Sequence, residues 1–167
     1  MSEIKIRKMC QQDVKNLNEM FLKQGWEDRT VILQKYLIEQ ANKKRWVFVA
    51  TADKKVMGYV TLISLAKNGP YKEKYPEIVD FNVFEVFQKH GIGTKLLDKA
   101  ETVAKTLDNI VTLGVGLHQG YGAAQRLYIK RGYIPDGSGI WFNDKKLALN
   151  EPCLNNNELV LYLAKKL

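Results

Sequence analysis

Apolar residues recur along this chain with two periods, and each change of period marks a change of element. Ile4-Lys5-Ile6-Arg7 alternates as a half-buried strand does. Val14, Leu17 and Phe21 then fall three and four apart, which predicts a helix from Gln11 to Lys23. Gly25-Trp26-Glu27-Asp28 interrupts it, with Asp28 placed to cap a second helix from about Arg29 to Asn42. Trp46 to Ala52 and Val56 to Leu65 read as a hairpin around Asp53-Lys54-Lys55. Asn68-Gly69-Pro70 and Tyr75-Pro76 bracket a loop. Ile78 to Phe87, rich in β-branched and aromatic residues, reads as a buried strand. Ile92, Leu96, Leu97, Ala100, Val103, Ala104 and Leu107 mark one face of a long helix. Asn109 to Leu117 is a strand and Tyr121 to Arg131 a short helix. Gly132-Tyr133 opens a final β region, residues 136–157 look mostly irregular, and Leu159 to Leu163 makes a last strand. The order predicts an α/β fold with a mixed sheet, one domain over residues 1–167, without repeat or linker.

The junction after the central strand carries chemistry. Gln88-Lys89-His90-Gly91-Ile92-Gly93 leads into the long helix, whose first N–H groups lack intrahelical partners and lie at the positive end of its dipole. Gly91 and Gly93 have no Cβ, so an anion can approach those N–H groups, and the turn reads as a phosphate site. Its spelling excludes two well-known phosphate motifs. Leu96 stands where a dinucleotide fingerprint needs its third glycine, and no Gly-Lys pair exists to make a P-loop.

Composition narrows the partners. The chain of 167 residues is 46% apolar, and no apolar run approaches a membrane span. The polar N-terminus lacks a signal-peptide core. Cys10 and Cys153 are far apart, with no metal or redox spacing, and read as reduced thiols of a cytoplasmic protein. No His/Cys/carboxylate cluster has metal spacing, so no metal is expected. Twenty-six Lys and Arg against eighteen Asp and Glu give a net charge of +8, suited to a polyanionic partner. There is no recognisable nucleic-acid motif, and nucleic acid is not the expected partner.

Two blocks carry a family resemblance. Val83-Phe84-Glu85-Val86-Phe87 followed by Gln88-x-x-Gly91-x-Gly93 resembles the acetyl-CoA pyrophosphate loop of the GNAT acetyltransferases, with Glu85 or Val86 where proline is usual. Downstream, Ala124, Leu127, Tyr128, Gly132 and Tyr133 resemble that family's second conserved block, with Tyr121 in place of a usual asparagine. The order of elements is similar too, so the resemblance covers essentially the whole chain. It implies a GNAT fold, a mixed sheet of about six to seven strands flanked by about four helices. It also implies an acetyl-CoA-dependent N-acetyltransferase, with acetyl-CoA as co-substrate. The coenzyme would meet Val83, Gln88, Lys89, His90, Gly91, Ile92, Gly93, Thr94, Tyr121, Ala124 and Tyr128. Dimerisation is common in the family, which makes a homodimer an expectation without a readable surface. The competing class is a catalytically silent GNAT-like module that binds coenzyme A or nucleic acid; the loop glycines and Tyr128 argue against it.

Acetyl transfer needs a neutral amine, yet an alkylammonium with a pKa of about 10.4 is neutral in only about one molecule in 2,500 at pH 7, roughly 4.6 kcal/mol uphill. A carboxylate needs a water relay, or a pKa raised by burial, to take that proton. Glu77, placed before Gln88 as the general base is in the histone-acetylating branch, is the candidate. Asp80 and Asn82 alternate onto the opposite face of the strand and are candidates to hold the acceptor or a relaying water. The resemblance gives an N–H near Val83 to the thioester oxyanion, and Tyr128 to the departing sulfur. His118, Lys130 and Arg131 read more simply as structural or surface residues. The resemblance also brings the acceptor in beside the loops over residues 24–29 and 67–76. Trp26, Tyr71 and Tyr75 there offer flat faces, and Glu27, Asp28, Glu73 and Glu77 offer carboxylates, a local acidic exception that fits a small cationic amine better than a protein lysine or N-terminus.

Overall fold

The computed structural model describes residues 3–167, folded as four α-helices and eight strands in two compact units. The first comprises residues up to Ile63 together with Val79–Val103, and the second Ser64–Ile78 with Ala104–Leu167.

In the first unit, β1 (Lys5–Lys8), β2 (Arg45–Ala52), β3 (Lys55–Ile63) and β4 (Glu77–Val83, from Val79 on) lie in that order. β1–β2 and β2–β3 are antiparallel. Asp53 and Lys54 both adopt positive φ, so β2 and β3 are joined by a two-residue turn whose twist matches the strands. Helices α1 (Gln11–Lys23) and α2 (Thr30–Ala41) bury Val14, Leu17, Phe21, Leu33 and Tyr36 in one cluster with Val47, Val49, Tyr59 and Phe84. Phe48, between Val47 and Val49, points the other way, where Lys99 of α3 (Ile92–Ala104) lies over its ring at 5.5 Å. Both faces of β2 are therefore covered, which is why it reads as a continuous apolar run. In α3, Ile92, Leu96, Leu97, Ala100 and Ala104 are buried, the face its periodicity predicts.

The start of α1 is fixed by charge. Asp13 is 1% exposed, accepts the Cys10 N–H at 2.7 Å, and pairs with both Arg7 nitrogens at 2.7 and 2.9 Å. Burial disfavours its charge, but the Arg7 and Cys10 hydrogen bonds outweigh that and hold the carboxyl below its ordinary range. Its folded pKa is thus depressed, and the stability it contributes is present at neutral pH and lost as the pH falls below about 4. Asp13→Ala is expected to cost about 1 kcal/mol for the cap, the half-exposed Arg7 adding little, as read from urea unfolding at pH 7. At pH 2 the difference from wild type should shrink.

In the second unit the order is β4 (Glu77 and Ile78), β5 (Ile110–Gly116), β8 (Leu159–Lys166), β6 (Ile134–Phe142) and β7 (Lys145–Lys146), with α4 (Gly122–Lys130) after β5. β4–β5 is parallel and the other pairs antiparallel, so the sheet is mixed. Tyr128 and Tyr133 are buried and meet edge to face at 5.8 Å. Among the described residues, no helix is long and apolar enough to cross a membrane.

Three expectations need correction. The central strand stops at Val83, not Phe87: Phe84 is buried in the core, and Phe87 and Gln88 N–H groups bond the Phe84 and Glu85 carbonyls, so Glu85–Phe87 forms a 3-10 turn. The long helix ends at Ala104, where the Leu107 and Asp108 N–H groups both close on the Ala104 carbonyl and Leu107 turns outward. Residues 136–142 are not irregular but belong to β6, with a break in register between Pro135 and Ile140. Asn143 and Asp144 at positive φ then make a tight turn into β7, a two-residue strand that brings the count to eight, one more than the upper end of the expected range.

Candidate functional site

In the first unit the segment between β4 and α3 forms an open loop. Lys89 and Gly91 lie at positive φ, +63° and +74°, and a Cβ built on Gly91 would meet no neighbour within 4 Å. The first bond of the helix runs from the Lys95 N–H to the Gly91 carbonyl at 3.2 Å, so the N–H groups of Ile92, Gly93 and Thr94 in the first turn have no intrahelical acceptor. The Ile92 side chain is 1% exposed and anchors the loop, leaving only its backbone for a ligand. Gln88 and His90 act on the loop itself. The Gln88 amide donates to the Val83 carbonyl at 3.0 Å, and His90 Nδ1 lies 3.3 Å from the Phe87 carbonyl. Since a carbonyl only accepts, the second contact places a proton on Nδ1. Lys89 and Thr94 are exposed.

Asp80 is not where strand alternation expects it. Its φ is +56°, an uncommon conformation for a residue inside a strand, and it interrupts the alternation along β4. Its carboxylate is already engaged by Arg29 Nη2 at 2.5 Å and the Tyr36 hydroxyl at 2.8 Å. Arg29 Nη2 also donates to the Tyr59 hydroxyl at 3.2 Å. Burial, then the Asp80 charge, raises the pKa of both tyrosines, so they remain donors. Asp80 thus ties β4 to the start of α2. Asn82 Oδ1, in contrast, is buried without a hydrogen-bond partner among the described residues. Asp28 Oδ1 accepts the Thr30 N–H at 2.9 Å at the start of α2, from one residue before the N-cap position, which Arg29 holds. Trp26 is 45% exposed with its ring 5.4 Å from Phe21, and Glu27 is exposed.

In the second unit Glu77 is 9% exposed at the start of β4, opposite Thr112 of β5. It is a buried carboxylate, not a solvated loop residue. Its charge acts on the hydroxyl of Tyr162, a residue of β8. Tyr71 and Tyr75 are half-buried and meet edge to face at 6.0 Å, in a loop closed by the Ala66 N–H on the Tyr75 carbonyl and the Glu73 N–H on the Ala66 carbonyl. Tyr128 is 6% exposed, and burial, reinforced by the nearby Tyr121, pushes its ionisation well above the ordinary phenol range. Ala124 is half-buried one turn earlier in α4. The Tyr121 hydroxyl donates to Asn157 Oδ1 at 3.1 Å, which also meets His118 Nε2 at 2.8 Å. His118 Nδ1 accepts the Gly120 N–H at 3.0 Å, so Nε2 carries the proton and His118 caps the turn before α4.

Arg29 and Tyr36, which engage Asp80, were not among the residues expected from sequence. Arg29 stands among helix-start residues, and Tyr36 sits inside the predicted second helix, where an aromatic side chain is accounted for by packing.

Comparison with known proteins agrees with this arrangement. Residues 11–133 match the model of the acetyltransferase (GNAT) family. No curated protein matches in sequence. Among solved structures, the PaiA N-acetyltransferase of Thermoplasma acidophilum in complex with coenzyme A is 17% identical, with a TM-score of 0.68 and 99% of each chain covered. The ribosomal-protein-alanine N-acetyltransferase of Brucella melitensis is 16% identical, with a TM-score of 0.71, covering 98% of this chain and 99% of that one. A GNAT-family structure from Desulfovibrio desulfuricans is 14% identical, with a TM-score of 0.72 and the same coverage. At these identities the structures share a fold, and the sequence match supplies the family. A match across most of the chain, on an α/β architecture with an open glycine loop at the start of α3, leads to one conclusion: this protein belongs to the GNAT acetyltransferase family.

Proposed function

We propose that the chain transfers the acetyl group of acetyl-CoA to a primary amine by direct attack of the neutral amine on the thioester. The observation that carries this reading is the loop at the start of α3, open above Gly91, with first-turn N–H groups and the helix dipole directed outward. These fit a pyrophosphate, and Lys89 adds a cation. Bound there, acetyl-CoA supplies an activated acetyl thioester.

The chain's own residues then have five tasks. Gln88 to Thr94 hold the phosphates. Backbone N–H at Val83 stabilises the negative charge that develops on the carbonyl oxygen. Glu77 receives the amine proton, directly or through water, and Tyr128 donates a hydrogen bond to the sulfur as it gains charge. A buried Tyr128 with a raised pKa stays protonated at neutral pH, which suits a donor. Trp26, Glu27, Tyr71 and Tyr75 are assigned to the acceptor, and a small cationic amine is favoured over a protein lysine or N-terminus.

The test is an acceptor screen that follows free thiol release from acetyl-CoA. With an acceptor in hand, Trp26→Ala and Glu77→Gln should each lower kcat/KM for the amine by about tenfold or more while leaving the acetyl-CoA KM nearly unchanged. A parallel rise in the acetyl-CoA KM would place these residues on the coenzyme instead.

A further inference from the structure

His118 has no part in the reaction as set out above, yet both of its ring nitrogens are engaged. In the second unit it precedes the 3-10 turn Gln119–Tyr121, which runs directly into α4. Its backbone is extended, with φ −71° and ψ 162°, as a helix cap requires, and Nδ1 accepts the Gly120 N–H at 3.0 Å. Nε2 donates to Asn157 Oδ1 at 2.8 Å, and the same oxygen accepts the Tyr121 hydroxyl at 3.1 Å. One amide oxygen from the segment before β8 thus holds two rings, whose centroids lie 4.6 Å apart.

The backbone closes on both rings. A Cβ on Gly120 would come within 2.7 Å of the imidazole, and one on Gly116 would overlap the Tyr121 ring. Gln125 adds a further tie, its amide donating to the Gly116 carbonyl at the end of β5 at 2.9 Å. Tyr121, Gln125 and Tyr128 are spaced by four and three, so they lie along one face of the helix. Tyr121 is close enough to Tyr128 to help raise its ionisation. Helix α4 has only nine residues, too few to be stable by its own hydrogen bonds. What fixes its first turn therefore fixes Tyr128, two turns further on.

We propose that His118 and Asn157 are positioning residues: together they set the start of α4, and through it the direction of the Tyr128 hydroxyl. That assignment rests on the acetyl-transfer reading, in which Tyr128 donates to the departing sulfur.

Steady-state kinetics and amide hydrogen exchange on the same variants test it. His118→Ala should lower kcat by about tenfold to a hundredfold, with a smaller change in the acetyl-CoA KM. His118→Asn should restore most of that loss, because an asparagine at a cap position accepts the same N–H. Asn157→Ala, an exposed substitution, should lower kcat in the same direction. In a Tyr128→Phe background His118→Ala should cost less than about twofold more, because the hydroxyl it directs is gone. An unchanged kcat in His118→Ala, or an equal loss with and without the Tyr128 hydroxyl, would overturn the proposal. Exchange of the α4 amides should quicken in His118→Ala and slow again in His118→Asn. Unchanged exchange in His118→Ala would overturn the proposal as well. Since exchange needs no substrate, absence of turnover in the wild type would overturn acetyl transfer alone and leave the role of His118 to be decided by the α4 amides.

Discussion

Tyr128→Phe is expected to keep acetyl-CoA affinity near the wild-type value and to lower kcat by about tenfold to a thousandfold, the range for one hydrogen bond made in the transition state. The substitution removes one oxygen and little volume from a side chain that is 6% exposed and packed edge to face on Tyr133, so the fold should tolerate it. The direction of the Tyr128 shift favours a donor over a full acid in the proposed mechanism. Even with ordinary pKa values of about 10 for a phenol and 8.5 for a thiol, full proton transfer to the leaving thiolate is uphill by roughly 2 kcal/mol. Burial raises the phenol further and enlarges that gap. On the proposed reading Tyr128 is a hydrogen-bond donor to developing charge rather than a full acid, and the high-pH limb of the kcat profile should not shift when it is replaced. An unchanged kcat in Tyr128→Phe, with chemistry shown to be rate-limiting, would reduce Tyr128 to a packing residue.

The second large effect is expected at the loop. Gly91→Val should weaken acetyl-CoA binding at least about tenfold, for two separable reasons. At a φ of +74° a β-branched residue is strained, and the Cβ enters the open space above the first-turn N–H groups. Gly91→Ala removes the larger side chain but keeps the Cβ and the strain, so it should fall between wild type and valine. Gly93→Val should weaken binding by occupying the same approach. Calorimetry with acetyl-CoA measures all three. Wild-type affinity in both valine variants would mean that the phosphates rest elsewhere.

How far the sequence carried differs by element, for physical reasons. Helix α1 was readable to its last residue because Val14, Leu17 and Phe21 are spaced for one face and Gly25 stops the pattern. The end of β4 was not. Val83 to Phe87 has strong strand propensity, but burial of Phe84 and two short backbone bonds turn the chain there, a tertiary effect that no local window contains. The same contrast holds at the site. The loop over residues 88–94 is written in consecutive residues, so its chemistry could be argued from spelling. The pairing of Asp80 with Arg29 and Tyr36 joins residues more than forty positions apart and depends on a left-handed residue inside a strand.

The most direct test of acetyl transfer is to incubate the protein with acetyl-CoA and a panel of amines, following free thiol and the mass of each amine together. The expected result is thiol release that depends on a cationic alkylamine, matched mole for mole by its N-acetylated product and lost in Tyr128→Phe. Binding of acetyl-CoA with only slow, amine-independent hydrolysis across the whole panel would contradict it and make the chain a coenzyme-binding module without transferase activity.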